Sequence, residues 1–165
     1  MLRRLFIAVV ALTATACATT SIRDSWYDVD YRGGPMRKIV VLGVSDNVAE
    51  RRTFEDVMSA RLAAVGVAAI PAYRLLPGTT DKVAEGELDR AVRASGTEDR
   101  YPVTEVRQYD IAVVETSLFT AKDDRIVWSG LTETWEPRSV AKDAPGFADT
   151  IVTALQKRAL IPAPR

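Results

Sequence analysis

Hydrophobic positions along this chain fall into runs with two distinct periods, and those runs predict its elements. Lys38 to Val44 (KIVVLGV) is a continuous apolar run rich in β-branched residues. Such a run predicts a strand buried on both faces, as in a parallel sheet. Asn47 stands three residues before Glu50, a capping-box pattern that opens a helix. Phe54, Val57, Met58, Leu62 and Val65 then recur at helical spacing, and Gly66 stops the helix. Val67 to Tyr73 (VAAIPAY) predicts a second strand. Pro71 cannot donate to a ladder, so that strand is expected to be short or near an edge.

Leu75 to Asp81 predicts a loop, and Glu85 to Ser95 a weaker helix with Leu88, Ala91 and Val92 on one side and Gly96 at its end. Thr97 to Arg107 is polar and carries no clear period. Tyr109 to Thr120 and Arg125 to Trp135 are strong strand candidates joined by the short link Ala121-Lys122-Asp123-Asp124, which predicts an antiparallel hairpin. Asp143 is expected to cap a last helix with Pro145 in its first turn and Phe147, Ile151, Val152 and Leu155 as its stripe. The resulting order is β-α-β-α-β-β-α. It predicts one small α/β domain with a mixed sheet and helices on at least one face.

The amino terminus follows a different logic. Met1 to Arg4 is positively charged, Leu5 to Leu12 (LFIAVVAL) is apolar, and Thr13 to Ala16 is a run of small residues leading to Cys17, the only cysteine. This layout resembles a bacterial lipoprotein signal, with Ala14 where such signals usually carry Leu. The resemblance implies cleavage before Cys17 and acylation of its thiol and new amino terminus. Two or more acyl chains anchor a protein stably. A membrane-spanning helix is one alternative, but a span needs about 20 apolar residues. An ordinary signal peptide cut after Ala16 is another, and it leaves an unpaired thiol in an oxidising compartment. By the same resemblance Ala18 points to the outer membrane. The expected organisation is a signal peptide at 1–16, a lipidated cysteine and tether at 17–36, and a periplasmic α/β domain at 37–161. Within the tether, 18–25 (ATTSIRDS) reads as a short linker. Trp26, Tyr27 or Tyr31 is expected to pack on the domain edge before Gly33-Gly34-Pro35 turns the chain.

Lys and Arg number 22, as do Asp and Glu. Arg3 and Arg4 leave with the signal, so the mature part carries a slight acidic excess and no nucleic-acid footprint. One cysteine allows no internal disulfide. The chain contains no histidine, which removes imidazole bases, Ser-His-Asp arrangements and the usual zinc sites. No cofactor is indicated.

Candidate sites are few. Ser45-Asp46-Asn47 follows the first predicted strand and opens a helix, where ligands of α/β sheets often bind, with Arg51 and Arg52 in the next turn. Capping by Asn47 with solvated arginines explains the same residues. Glu115 and Glu133 lie on partner strands and could form a carboxylate pair, although a wet sheet face that also carries Ser117 accounts for Glu115. Trp128 and Trp135 fall on opposite faces by the period of two, so one is expected in the core and the other exposed, where aromatics mark interfaces. Asp123-Asp124 reads as a polar turn.

Three segments taken together carry a family resemblance. They are Ser25-Trp26 through Asp30-Tyr31 with Gly33-Gly34, Lys38 to Ser45, and Leu118-Phe119 through Ile126 to Gly130. They resemble a group of bacterial envelope lipoproteins that has no assigned catalytic residues. The resemblance implies a fold similar to the TolB amino-terminal domain and to penicillin-binding-protein activator and curli-export lipoproteins. The chain departs from that group between Gly96 and Tyr109, where an apolar strand and a longer insertion are usual. Here that strand is either shortened or reduced to Val103–Val106. The expectation is a non-enzymatic lipoprotein held on the bilayer by Cys17 and binding another envelope protein, with Trp135 or the 45–47 loop at the contact. The alternative is a small-molecule-binding or carboxylate-based hydrolytic domain that uses Ser45, Asp46 and Asn47.

Overall fold

In the computed structural model, which describes residues 19–75, 94, 99–100 and 111–163, the strands join one mixed sheet. They are β1 (Thr19–Tyr27), β2 (Lys38–Val41), β3 (Ala68–Pro71), β4 (Asp99–Arg100), β5 (Ile111–Thr120) and β6 (Ile126–Trp135). Their spatial order is β1-β6-β5-β4-β2-β3. Strands β1, β6, β5 and β4 run antiparallel in succession, whereas β2 is parallel to both β4 and β3. The helices are α1 (Val48–Ala64), the single turn α2 (Ala72–Leu75) and α3 (Val140–Lys157).

The apolar run at β2 behaves as its composition predicts. Ile39, Val40 and Val41 are all buried, and alternation sends them to both faces of the sheet. Ile39 and Val41 join Met58 and Leu62 of α1, Leu118 and Trp128 of the hairpin, and Phe147, Ile151 and Leu155 of α3 in the main core. The Phe54 and Phe147 rings meet at 5.4 Å where α1 crosses α3. Val40 faces the other way, into a smaller cluster with Ala72, Ala121 and Ile70. Asn47 caps α1 by accepting from the N–H groups of Ala49 and Glu50. Gly66, at φ +86°, ends that helical segment in a conformation that glycine adopts freely. Pro71 closes β3 at the sheet edge, as its missing donor requires.

The structure corrects two expectations, the linker at 18–25 and the start of the last helix, and decides between alternatives for two others. The 18–25 linker is strand β1 from Thr19 onward, paired along β6. Only Ile22 supplies an aliphatic side chain there, so the edge strand carries almost no hydrophobic period. Thr20 Oγ1 instead hydrogen-bonds Thr134 Oγ1 at 2.8 Å. Of the aromatics expected on the domain edge, Tyr31 packs against the core while Trp26 is exposed. A shortened strand in the polar stretch after Gly96, one of the two expected alternatives, is β4 at Asp99–Arg100, seated between β2 and β5. The last helix begins at Val140, so Pro145 is its sixth residue. Asp143 caps it from inside the helix, accepting from the N–H groups of Arg138 at 2.6 Å and Ser139 at 3.0 Å. The predicted 85–95 helix, most of the 75–81 loop and Val103–Val106 lie outside the described residues.

Candidate functional site

α1 and α3 cover one face of the sheet, and the face built by β1, β6 and β5 on the other side carries the exposed side chains. Thr132 and Thr134 point into the helix-covered face and are buried, as is Trp128. Gly130 leaves room for the Trp128 indole, since a Cβ there would meet its Cζ2 at 2.6 Å. Ser129, Leu131, Glu133 and Trp135 point the other way. The two tryptophans separate as the period of two predicts: Trp128 is 1 % exposed and Trp135 is 54 % exposed.

Glu115 lies on this open face opposite Leu131, with Ser117 opposite Ser129. Its carboxylate accepts from Ser129 Oγ at 3.5 Å. Glu133 pairs with Arg23 at 2.8 Å. Both carboxylates therefore have surface partners suited to a wet sheet face.

Arg23 is the extra residue of a bulge in β1, because Ile22 pairs with Thr132 and Asp24 with Leu131. The bulge shifts the alternation by one, so Trp26 emerges on the open face opposite Ser129. Beside it, Asp28 N–H donates to Val127 O at 2.9 Å and extends the pairing of β1 with β6 by one bond. Trp26 and Ile126 are exposed on the open face at this end of the sheet, Val29 is exposed in the turn after β1, and Tyr27, which pairs with the buried Trp128, is exposed at the edge of the helix-covered face. Arg158, just past α3, stacks on the Tyr27 ring at 3.9 Å. An ion pair between Arg125 and Asp28 borders the group. Sequence reasoning missed this patch because the bulge, invisible in the residue pattern, decides which way Trp26 points.

The 45–47 loop has a local role. Ser45 Oγ accepts from Asn47 N–H at 3.1 Å, Asn47 Oδ1 serves the helix cap, and Asp46 is exposed. Arg51 and Arg52 diverge. Arg51 is 7 % exposed, while the Arg52 guanidinium lies over the Tyr73 ring at 5.5 Å. Glu55, one turn further along α1, is 1 % exposed. Its Oε1 accepts from Gly43 N–H at 2.9 Å and its Oε2 from Tyr73 N–H at 3.1 Å. One carboxylate thus ties the segments leaving two neighbouring parallel strands to the helix above them. Burial pushes the Glu55 carboxyl up from its ordinary range, although the two N–H groups and Arg51 pull the other way. A charged residue in register with Met58 and Leu62 was the available signal.

A cleft of about 510 Å³ runs between β1 and α3 and is lined by Ile22, Ser25, Thr150, Thr153, Lys157 and Arg158 among others. Ser45, Asp46, Asn47, Glu115 and Trp135 are not part of it.

No family model matches the chain, and no curated protein matches it by sequence. Solved structures do resemble it. A single-substitution variant of PelC from Paraburkholderia phytofirmans, solved as a dodecamer, aligns with a TM-score of 0.53 and 13 % identity, covering 88 % of this chain and 99 % of that one. The PelC dodecamer in another crystal form gives 0.52 and 13 %, over 89 % and 100 %. TolB from Acinetobacter baumannii gives 0.46 and 15 %, over 84 % of this chain and 31 % of TolB. At such identities the PelC likeness is one of fold, and it spans nearly the whole of both chains: this is a small mixed α/β domain similar to PelC.

Proposed function

We propose that this protein is a non-enzymatic lipoprotein, anchored through acylated Cys17 on the periplasmic face of the outer membrane, that docks another envelope protein. The observation that carries this reading is the open-face pair Trp26 and Ile126, exposed at the sheet end opposite Thr19 with Val29 exposed in the turn beside it. Contiguous exposed apolar side chains rimmed by charges mark interaction surfaces. Thr19 is two residues from Cys17, so an anchored domain holds this patch away from the bilayer. Lack of histidine supports a binding role over a hydrolytic one.

The test is affinity capture from detergent-solubilised envelopes with the acylated chain as bait. A single partner retained by the parent and by Asp46→Ala, and lost with Trp26→Ala combined with Ile126→Ser, is the expected result. Equal recovery with the patch variant would sink the docking assignment. A second reading, in which the partner is another copy of this chain, takes its support from the dodecameric state of PelC. Light scattering on the purified protein decides it, since a monomer mass at high concentration excludes self-assembly.

A further inference from the structure

Trp135 has a different neighbourhood from the apolar patch, and register defines it. Thr19 pairs with Trp135 across β1 and β6, and Ile111 pairs with Trp135 across β5 and β6. These residues form one row across the end of the sheet where the amino-terminal segment enters. Cys17 lies two residues before Thr19, a reach of at most about 7 Å. Facing residues of an antiparallel pair are about 5 Å apart. Trp135 therefore lies within about 12 Å of Cys17, backbone to backbone.

Trp135 is also held outward. It ends β6, and the next residue, Glu136, adopts φ +50°, a left-handed conformation uncommon outside glycine. Pro137 follows and cannot extend the ladder. The chain is turned away at this point, so the indole stays exposed at the end of a paired strand.

We propose that Trp135 seats in the lipid headgroup region of the membrane that carries Cys17, giving the anchored domain a fixed orientation. This rests on the reading that Cys17 is acylated. Acyl chains on Cys17 hold its backbone at the bilayer surface, and the headgroup zone extends roughly 5–8 Å beyond the hydrocarbon in each leaflet. An indole at that level has its ring in an amphipathic layer and its N–H within reach of water and headgroup oxygens, the setting tryptophan favours. The anchor and the indole are then two attachment points at one end of the sheet. The patch at Trp26 and Ile126 stands about 30 Å away along β6, at 3.4 Å per residue. Trp135 is thereby assigned to lipid, and the protein contact to the opposite end.

The test uses the full chain purified from membranes and reconstituted into phosphatidylethanolamine–phosphatidylglycerol vesicles with or without acyl chains brominated near the headgroup. Mass spectrometry first reads the acyl mass on Cys17. Tryptophan fluorescence then reports contact with bromine, with Trp128 buried in the core as a silent background. The parent and Trp26→Phe are expected to be quenched by brominated lipid, and Trp135→Phe to lose that quenching. An acylated protein whose quenching survives Trp135→Phe, or which is not quenched at all, overturns the seat and leaves the anchored reading standing. Absence of acyl mass on Cys17 overturns both.

Discussion

Glu55 occupies a helix position that the apolar period assigns to the core, three residues before Met58 and seven before Leu62. Its two oxygens each accept a backbone N–H, from Gly43 and from Tyr73, at a site closed to most solvent. Glu55→Gln keeps the shape but presents an amide to one of those donors. The expected cost is about 1–3 kcal/mol, read as a lower urea midpoint at unchanged slope. Because burial raises the folded-state pKa above the unfolded one, this group's contribution is complete below the unfolded value. It is lost as pH rises through the raised folded value. The stability difference between parent and Glu55→Gln is therefore expected to shrink from acid to neutral pH, and an unchanged difference would refute the assignment. Gly130 offers a second residue-scale test. Gly130→Ala drives a methyl into the Trp128 ring, an overpacking expected to cost about 1–3 kcal/mol in the same denaturation assay.

α3 shows at the element scale how a cap can lie inside the helix it starts. Ser139 occupies the N-cap position without a side-chain bond, and Asp143 reaches back to the N–H groups of Arg138 and Ser139. Burial works to raise the Asp143 carboxyl. The Arg138 and Ser139 N–H groups and the Arg138 guanidinium outweigh it and hold the carboxyl below its ordinary range. A depressed folded pKa contributes stability above the unfolded value and loses it as pH falls through the folded one. Asp143→Asn is thus expected to cost about 1 kcal/mol at neutral pH and less in acid, the opposite trend to Glu55→Gln. Thermal melts of both variants across the acid range check the two signs together.

For the whole molecule, the sheet's length separates two exposed aromatic ends, and the proposed anchor selects which is which. Variants at the two ends are expected to act independently, since sites this far apart add. Trp26→Ala is expected to lose the partner while the protein stays in the membrane fraction, and Trp135→Phe to keep the partner. Both side chains are more than half exposed, so each change is expected to alter stability by no more than about 0.5 kcal/mol. Loss of partner binding and of headgroup contact in the same single variant would contradict the separation.

Several elements were legible in the residues because their physics is local. The run at β2, the Asn47 cap, the stripe of α1 and the hairpin of β5 and β6 each follow from period, capping chemistry and turn composition within a few neighbours. The opposite fates of Trp128 and Trp135 follow from alternation alone. By itself the sequence determined these, together with the lack of imidazole chemistry and the placement of Cys17 behind an apolar run. Tertiary structure decided what depends on distant partners. β1 is a strand because β6 offers an open edge, not because its own residues have a strong period. β4 is two residues long because β2 and β5 leave a place between them. Glu55 is buried because two strand ends converge on it, and Trp26 is exposed because a bulge at Arg23 reverses its face. In each case the deciding interaction joins residues far apart in sequence, and no window along the chain contains both of its partners.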